Sequence, residues 1–549
     1  MKLFHRIIIA VVLLIFMLPI GAAGDSTIIP DQVKIGIRYG TTSTPVIGIY
    51  SKNGLELGYF VGNDYKVINS FTQNSELLIR KDGFFMNLNG NFIEYQFDEQ
   101  KDIDNSNLQG PIHIQIGDSF QTIEEAENYV STLPALGESP YVVSEDGWKV
   151  WIGLYTCQAN AEKALNRMKT SVPDLKLNII SQNKKRIQVV DTTGKVLFMY
   201  NTDNTNYQFK PMLSKDSLGL IRVDGKNFRG SIFFNRYDDS DLTVINQLNI
   251  EEYLYGVLPK EVSGSWPLEA QKAQAVAARN FAVVNINGHS KNGFDLCSTT
   301  HCQVYGGYDV EHPNSTKAVD LTKGKLLTYN GKVITAFYHS NSGGKTEDSE
   351  NVWSFPLEYI RGVEDPYSIG QPNDNWTYVY TKQEIEVVLS SKDMSIGSLN
   401  SITPIEYSTN GRIIKLEVNG ITDKKILEKD KIRNILGYNN IKSTWFQVET
   451  DSDVAVLSAN NQSPTKTTLS SKFFITGDGI KKVKDNQNIN IYSGKSYSVI
   501  SSTPTKYVFI GKGWGHGLGM SQWGAKTMAE QGFTYEQILT HYYSGTKVE

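Results

Sequence analysis

This sequence is poor in cysteine, net charge and long apolar runs. Three cysteines, Cys157, Cys297 and Cys302, in 549 residues are too few for a disulfide framework. A net charge of −4 offers no basic surface for a polyanion, so nucleic acid is not an expected partner. Beyond the first 24 residues no segment is apolar enough to span a bilayer. Two catalytic signatures are also missing from the glycine-rich stretch Gly513–Gly524. It is not a dinucleotide fingerprint, because Leu518 stands where the third glycine belongs. It is not a serine-hydrolase elbow either, because Trp523 occupies the last glycine position.

What is present is the composition of a folded, soluble protein, 40 % hydrophobic and 20 % charged. The 29 tyrosines suit both β-sheet cores and sugar-binding faces. Lys2, His5 and Arg6 precede an apolar run from Ile7 to Ile20, and Gly21-Ala22-Ala23-Gly24 offers a small-residue cleavage site. Residues 1–24 therefore read as a signal peptide or, uncleaved, as a membrane anchor, which places the mature chain outside the cytoplasmic membrane.

Strand-like alternation fills 28–105, as in Val33–Tyr39 and Val46–Tyr50. A repeat follows in 110–185. Ile114–Phe120 leads into Glu124–Val130, and Val150–Tyr155 leads into Asn160–Leu165. Each copy reads as a strand, a glycine turn and an amphipathic helix. With strands at Tyr141–Ser144 and Leu177–Ile180 they predict a ferredoxin-like module able to fold alone. From 206 to 549 strands resume, a turn is predicted at Asp224-Gly225, and Asn249 with Glu252 suits a capping-box-like helix start. A second helix follows, with Pro267 in its first turn and Ala270, Ala273, Ala277 and Phe281 on one face. The fold class is α+β and β-rich.

Four stretches carry chemistry. Glu261, in Leu258–Val262, stands just before the Ala-rich helix, where a carboxylate can be held beside a cleft, or can merely cap or pair with Lys260 or Lys272. His289, Cys297, His301 and Cys302 form a four-ligand zinc set; a Cys297–Cys302 disulfide or unpaired thiols are the alternatives. Cys157 reads as a buried free thiol. Tyr338–Gly344 is a polar loop after an apolar strand, offering His339, Ser340 and Ser342. The Gly513–Gly524 loop lets backbone approach a ligand and carries His516, Ser521, Gln522 and Trp523.

These pieces, Leu248–Val262 with its Ala-rich helix, Tyr338–Thr346, Gly511–Ala525 and Ile538–Thr546, resemble the SpoIID/LytB family of stage II sporulation protein D over about Asn206 to Glu549. The repeat module resembles a SPOR domain. The resemblance implies a β-rich SpoIID-like domain with a compact helical catalytic subregion and an inserted SPOR module. It implies peptidoglycan as substrate and Glu261 as catalytic acid/base of a lytic transglycosylase, with the polar loops lining or bracing the cleft. The SPOR resemblance implies binding of glycan stripped of peptides. The family also implies a different role, that of an amidase enhancer working with a cell-wall amidase. It implies that a similar His/Cys cluster binds Zn2+. The location it implies is the cell wall, or the outer face of the cytoplasmic membrane.

Overall fold

Alternating strands bring two distant stretches of chain into one sheet. The computed structural model describes residues 29–549, apart from 63, 73–75, 103–104, 215–217, 238–239, 457–462, 470–471, 485–486 and 493–494. The expected signal segment 1–24 and its cleavage site lie outside the described residues. Gln32–Arg38 buries Val33 and Ile35 and pairs antiparallel with Thr243–Asn249, Lys34 opposite Gln247. The seven-stranded sheet built on that pair runs Leu296–Cys297, Gln32–Arg38, Thr243–Asn249, Ser231–Asn235, Gln208–Pro211, Leu55–Val61, Asp64–Phe71. The β-rich stretch 28–105 and the start of 206–549 are therefore interleaved in one body. One face of the sheet packs Val33, Ile35, Leu57, Phe209, Ile232 and Leu248 into the main core.

The repeat module has the strand order Leu177–Ile180, Ile112–Phe120, Trp148–Tyr155, Tyr141–Ser144, all antiparallel, which is the ferredoxin-like arrangement. Helices α1 (Ile123–Thr132) and α2 (Gln158–Ser171) complete it, and Thr122 and Glu125 close a capping box on α1. Gly117 and Gly153 sit inside the strands, where the register shifts, with φ of 75° and 80°. They make β-bulges where the sequence suggested turns.

The module is not a separate bead. Tyr141–Ser144 pairs in parallel with Val196–Asn201, so its sheet continues into a ten-stranded one ending at Lys226–Phe228. Buried polar contacts fasten the join. Asp82 Oδ1 lies 3.2 Å from His113 Nε2 and accepts from Gln188 Nε2 at 2.9 Å. Arg186 pairs with Glu145 at 2.8 Å and lies over the Trp151 ring at 4.6 Å. Excising the module exposes these groups, which opposes the expectation that it folds alone. At Asp224-Gly225 both residues have positive φ, 52° and 77°, and make the predicted hairpin turn.

The helical region holds α3 (Ile250–Glu261) and α4 (Leu268–Val284). Asn249 caps α3 by accepting from Glu251 N, so Glu252 closes no capping box. Pro259 lacks an amide hydrogen for the last turn, and α3 stops at Glu261. Pro267 is the N-cap of α4. Ala275, Ala278 and Ala282 of α4 enter the main core, while Ala273, Val276 and Ala277 enter a second core with Leu518, Met520, Ala525 and Ile538. An all-round small helix lets α3 and the C-terminal helices α5 (Gln522–Glu530) and α6 (Tyr535–Tyr542) approach from different sides. Buried Arg279 of α4 grips Glu251 of α3 with contacts of 2.6 and 3.0 Å.

A third core, including Trp376, Ile385, Leu416, Phe446 and Phe509, lies within the 206–549 stretch, built on Asn375–Thr381, Lys506–Lys512 and Phe446–Thr450. Among the described residues no helix is long and apolar enough to cross a membrane.

Candidate active site

Glu261 is the last residue of α3, half-buried, and makes no ion pair among the described residues. Lys272, a possible partner from sequence, pairs with Glu269 at 2.7 Å. The groups that meet Glu261 are uncharged donors. Gln522 Nε2 lies 3.4 Å from Oε2, and the Tyr338 hydroxyl and Val304 N–H also face the carboxylate. Burial raises its pKa, and those hydrogen bonds only partly offset the rise. The result is a carboxyl biased toward its proton.

Those donors are themselves held. Tyr253, two turns before Glu261 on α3, donates to Gln303 Oε1 at 3.2 Å, and Gln303 Nε2 donates to the Tyr338 oxygen at 2.9 Å. With its oxygen occupied, Tyr338 keeps its own hydrogen for Glu261. Gln274 of α4 accepts from Gln522 Nε2 at 3.4 Å. Trp523, next in the chain to Gln522, packs on Trp266 at 4.8 Å between ring centroids, both rings half-buried.

The two polar loops are zipped together. Tyr338–His339 pairs in parallel with Met520–Ser521, Asn341 bridges Trp514, and Ser340 O accepts from Trp523 N at 3.0 Å. The glycines at 513, 515, 517 and 519 all have positive φ, and a Cβ at Gly519 would sit 2.1 Å from the Phe337 carbonyl. His339 and His516 clamp one residue between them. His339 Nδ1 donates to Leu518 O at 3.1 Å, and His516 Nδ1 accepts from Leu518 N at 3.0 Å. Burial lowers the pKa of both histidines, His516 to about 3, so both are neutral imidazoles near neutral pH.

Ser342 and Ser521 are fully buried. Ser342 donates to Asp365 Oδ2 at 2.6 Å, Tyr542 donates to its Oδ1 at 2.8 Å, and Ser521 caps α5 through Gly524 N. Of the seven loop residues singled out in the sequence, Gln522 thus reaches Glu261, Trp523 packs on Trp266, Ser340 holds Trp523 by its backbone, and the other four fasten the loops.

His289, Cys297, His301 and Cys302 converge, their ligand atoms all within 4.8 Å of one another. His289 Nε2 is 3.3 Å from the Cys302 sulfur, and His301 Nδ1 lies 3.5 and 3.8 Å from the sulfurs of Cys302 and Cys297. A tetrahedral zinc with thiolate and imidazole ligands needs ligand separations of roughly 3.3–3.8 Å. The donor set fits that ion, and all three cysteines are free thiols, Cys157 buried among them. A hydrogen bond from Cys302 holds the Cys297 thiol below its ordinary value and raises Cys302. Gln303 and Val304, which serve Glu261, follow this cluster directly.

Reading the sequence for function missed Tyr338, Gln303, Gln274, Val304 and Trp266. The signal was adjacency: Tyr338 precedes His339, Gln303 follows Cys302, and Trp266 lies five residues past Glu261.

Parts of this chain match known proteins. A family model for stage II sporulation protein matches residues 238–329, which include α3, Glu261 and the His/Cys cluster. A SPOR domain model matches 108–174, and a domain of unknown function matches 369–480. The chain is 32 % identical over 332 residues to the amidase enhancer of Bacillus subtilis, covering 59 % of this chain and 44 % of that protein. It is 31 % identical over 327 residues to an uncharacterised protein of Brachyspira hyodysenteriae, covering 59 % and 73 %. It is 27 % identical over 322 residues to stage II sporulation protein D of Bacillus subtilis, covering 55 % and 75 %. The chain therefore belongs to the SpoIID/LytB family of stage II sporulation protein D and the amidase enhancer.

Proposed function

We propose that this chain acts on peptidoglycan outside the cytoplasmic membrane and cleaves its glycan strands as a lytic transglycosylase, with Glu261 as the single acid/base. One observation carries this reading. Glu261 is a buried-edge carboxyl of raised pKa, ringed by uncharged donors and unpaired with any cation among the described residues. Hydrolysis by paired carboxylates requires a second acid, either to activate water or to attack the sugar. A single group suffices when the nucleophile belongs to the sugar. Glu261 protonates the glycosidic oxygen as the C1–O bond breaks, then takes the proton of the C6 hydroxyl as O6 bonds to C1. The product carries a 1,6-anhydro end.

In this reading Gln522 and Trp523 contact the sugar, while His339, Ser340, Ser342, His516 and Ser521 hold the loops that present them. The His/Cys cluster supplies all four ligands of one Zn2+, the pattern of a closed structural site. Its task is to fix the loop carrying Gln303 and Val304. The SPOR domain holds glycan, and the N-terminal segment exports the chain or tethers it to the membrane. A second reading, a non-catalytic amidase enhancer, draws on the relative of that name. Incubating purified glycan strands with the protein, then weighing the products by mass spectrometry, separates the two. Anhydro ends support the transglycosylase; intact strands, with stimulation of an added amidase, support the enhancer.

A further inference from the structure

The seven-stranded sheet has a second face that the Glu261 chemistry does not use. At one end Phe294 and Cys297 cover Phe233 and Ile245. The rest is an open cleft of about 1190 Å³. Register places Lys34 opposite Gln247, Gln247 opposite Ser231, and Lys210 opposite Glu56, so a polar row crosses the sheet. Ser231 donates to Gln208 Oε1 at 2.6 Å, and Gln208 Nε2 donates to Gln247 Oε1 at 3.0 Å. This relay leaves the Gln247 amide nitrogen without a protein partner among the described residues. Lys210 Nζ sits 4.5 and 4.2 Å from the ring centroids of Phe60 and Tyr65 and forms no ion pair among the described residues.

An antiparallel sheet often leaves one face to water. This face differs in being concave, amide-floored and walled by aromatic rings. Its volume exceeds that of a compact small-molecule pocket, which is mostly apolar, and so suits an extended polar chain. Acidic Asp31 and Glu56 balance Lys34 and Lys210, which disfavours a polyanion. A peptide that adds to a sheet needs a free edge, and the floor here is a face. Side-chain amides with aromatic walls match the N-acetyl groups and flat faces of sugar rings.

We infer that this cleft is a second saccharide-binding site, taking a chain of N-acetylated amino sugars. Glu252 lines it, and Glu261 stands nine residues further along α3, about 14 Å at helical rise. The site is separate from the Glu261 carboxyl and does not rest on its catalytic role, since an enhancer must hold glycan too.

The test uses the full chain carrying Glu261→Gln, so that no probe is cleaved. Three probes are compared: an alternating N-acetylglucosamine/N-acetylmuramic acid tetrasaccharide, an N-acetylglucosamine tetramer, and a free stem tetrapeptide. Hydroxyl-radical footprinting reads the accessibility of Tyr59, Phe60 and Tyr65. Either saccharide should protect these rings. Gln247→Ala with Lys210→Ala should remove that protection and weaken the affinity measured there about tenfold. Protection at the SPOR domain and at Trp266 should remain. Lys210→Ala alone, with a melting curve, serves if the double variant is unstable. No protection at saturating saccharide, protection by the peptide alone, or protection that survives the variants overturns the inference.

Discussion

Replacing Glu261 by glutamine tests the site most directly, because chemistry and stability should move apart. Glutamine keeps the size and the acceptor oxygen for Gln522 and Tyr338 but has no proton to give. Acid/base catalysis by one group contributes roughly 10²–10⁴-fold in rate, so strand cleavage should fall by that factor. The 3.4 Å contact from Gln522 is at the long limit of a hydrogen bond, and no ion pair is lost. The fold should therefore change by less than about 1 kcal/mol.

The pH dependence has a fixed sign. Burial holds the folded carboxyl above its ordinary value of 4.5. Its contribution to stability is complete below pH 4.5 and is lost as pH rises through the raised value. Glutamine lacks that dependence. The melting temperature of Glu261→Gln relative to wild type should therefore rise between acid and neutral pH. Cleavage by the wild type should decline as the same group loses its proton. Calorimetry and mass analysis of the products across that range read both. If Glu261 only caps a helix or pairs with a lysine, the variant melts lower at neutral pH and keeps its activity per folded molecule. Reducing ends in place of anhydro ends would refute the single-carboxyl mechanism itself.

Elemental analysis should find one zinc per chain, lost in Cys302→Ser, which should also melt lower and cleave more slowly because Gln303 and Val304 follow that residue. Zinc should also leave as the pH falls, since imidazole and thiolate ligands must be deprotonated to bind; metal-free wild type with a disulfide mass deficit would count against this. Asp365→Asn should cost about 1–3 kcal/mol by disturbing the Ser342 and Tyr542 bonds, and should slow cleavage through Gln522; unchanged urea midpoints would refute it. Asp82→Ala strips His113 and Gln188 of a buried partner and should destabilise the chain by about 3 kcal/mol. The fragment 108–181 alone should melt below the intact chain, followed by Trp148 and Trp151 fluorescence; equal midpoints would restore an autonomous module.

Local periodicity and turn chemistry made much of the architecture legible. The helix–strand repeat gave the ferredoxin-like order of the SPOR segment, and Asp224-Gly225 gave its hairpin. What periodicity cannot carry is lateral pairing. Tyr141–Ser144 reads the same whether its free edge faces water or Val196–Asn201, so the continuous ten-stranded sheet was invisible. Gly117 and Gly153 looked like turns because a bulge glycine and a turn glycine share the need for positive φ. In the candidate site, the family resemblance marked Glu261, and residue type marked the His/Cys cluster. It could not say which polar residues of the loops face outward. Ser342 and Ser521 are as polar as Gln522, yet a buried carboxylate, Asp365, claims the first and an α5 amide the second.

That division of labour explains why so many polar motif residues surround one titrating group. A carboxyl with a raised pKa is useful only if its neighbours neither ionise nor shift. The His339–His516 clamp is built from imidazoles that burial keeps neutral, so it adds rigidity without charge. Asp365 is neutral-biased by burial and satisfied by hydroxyls. Tyr253 and Tyr338 are raised well above their ordinary values, so they remain donors. The charged grip of Arg279 on Glu251 lies toward the other end of α3, more than two turns from Glu261. Each support is polar enough to be directional, and the ones nearest Glu261 are uncharged. Such a shell suits the role proposed for Glu261, that of one carboxyl acting first as acid and then as base.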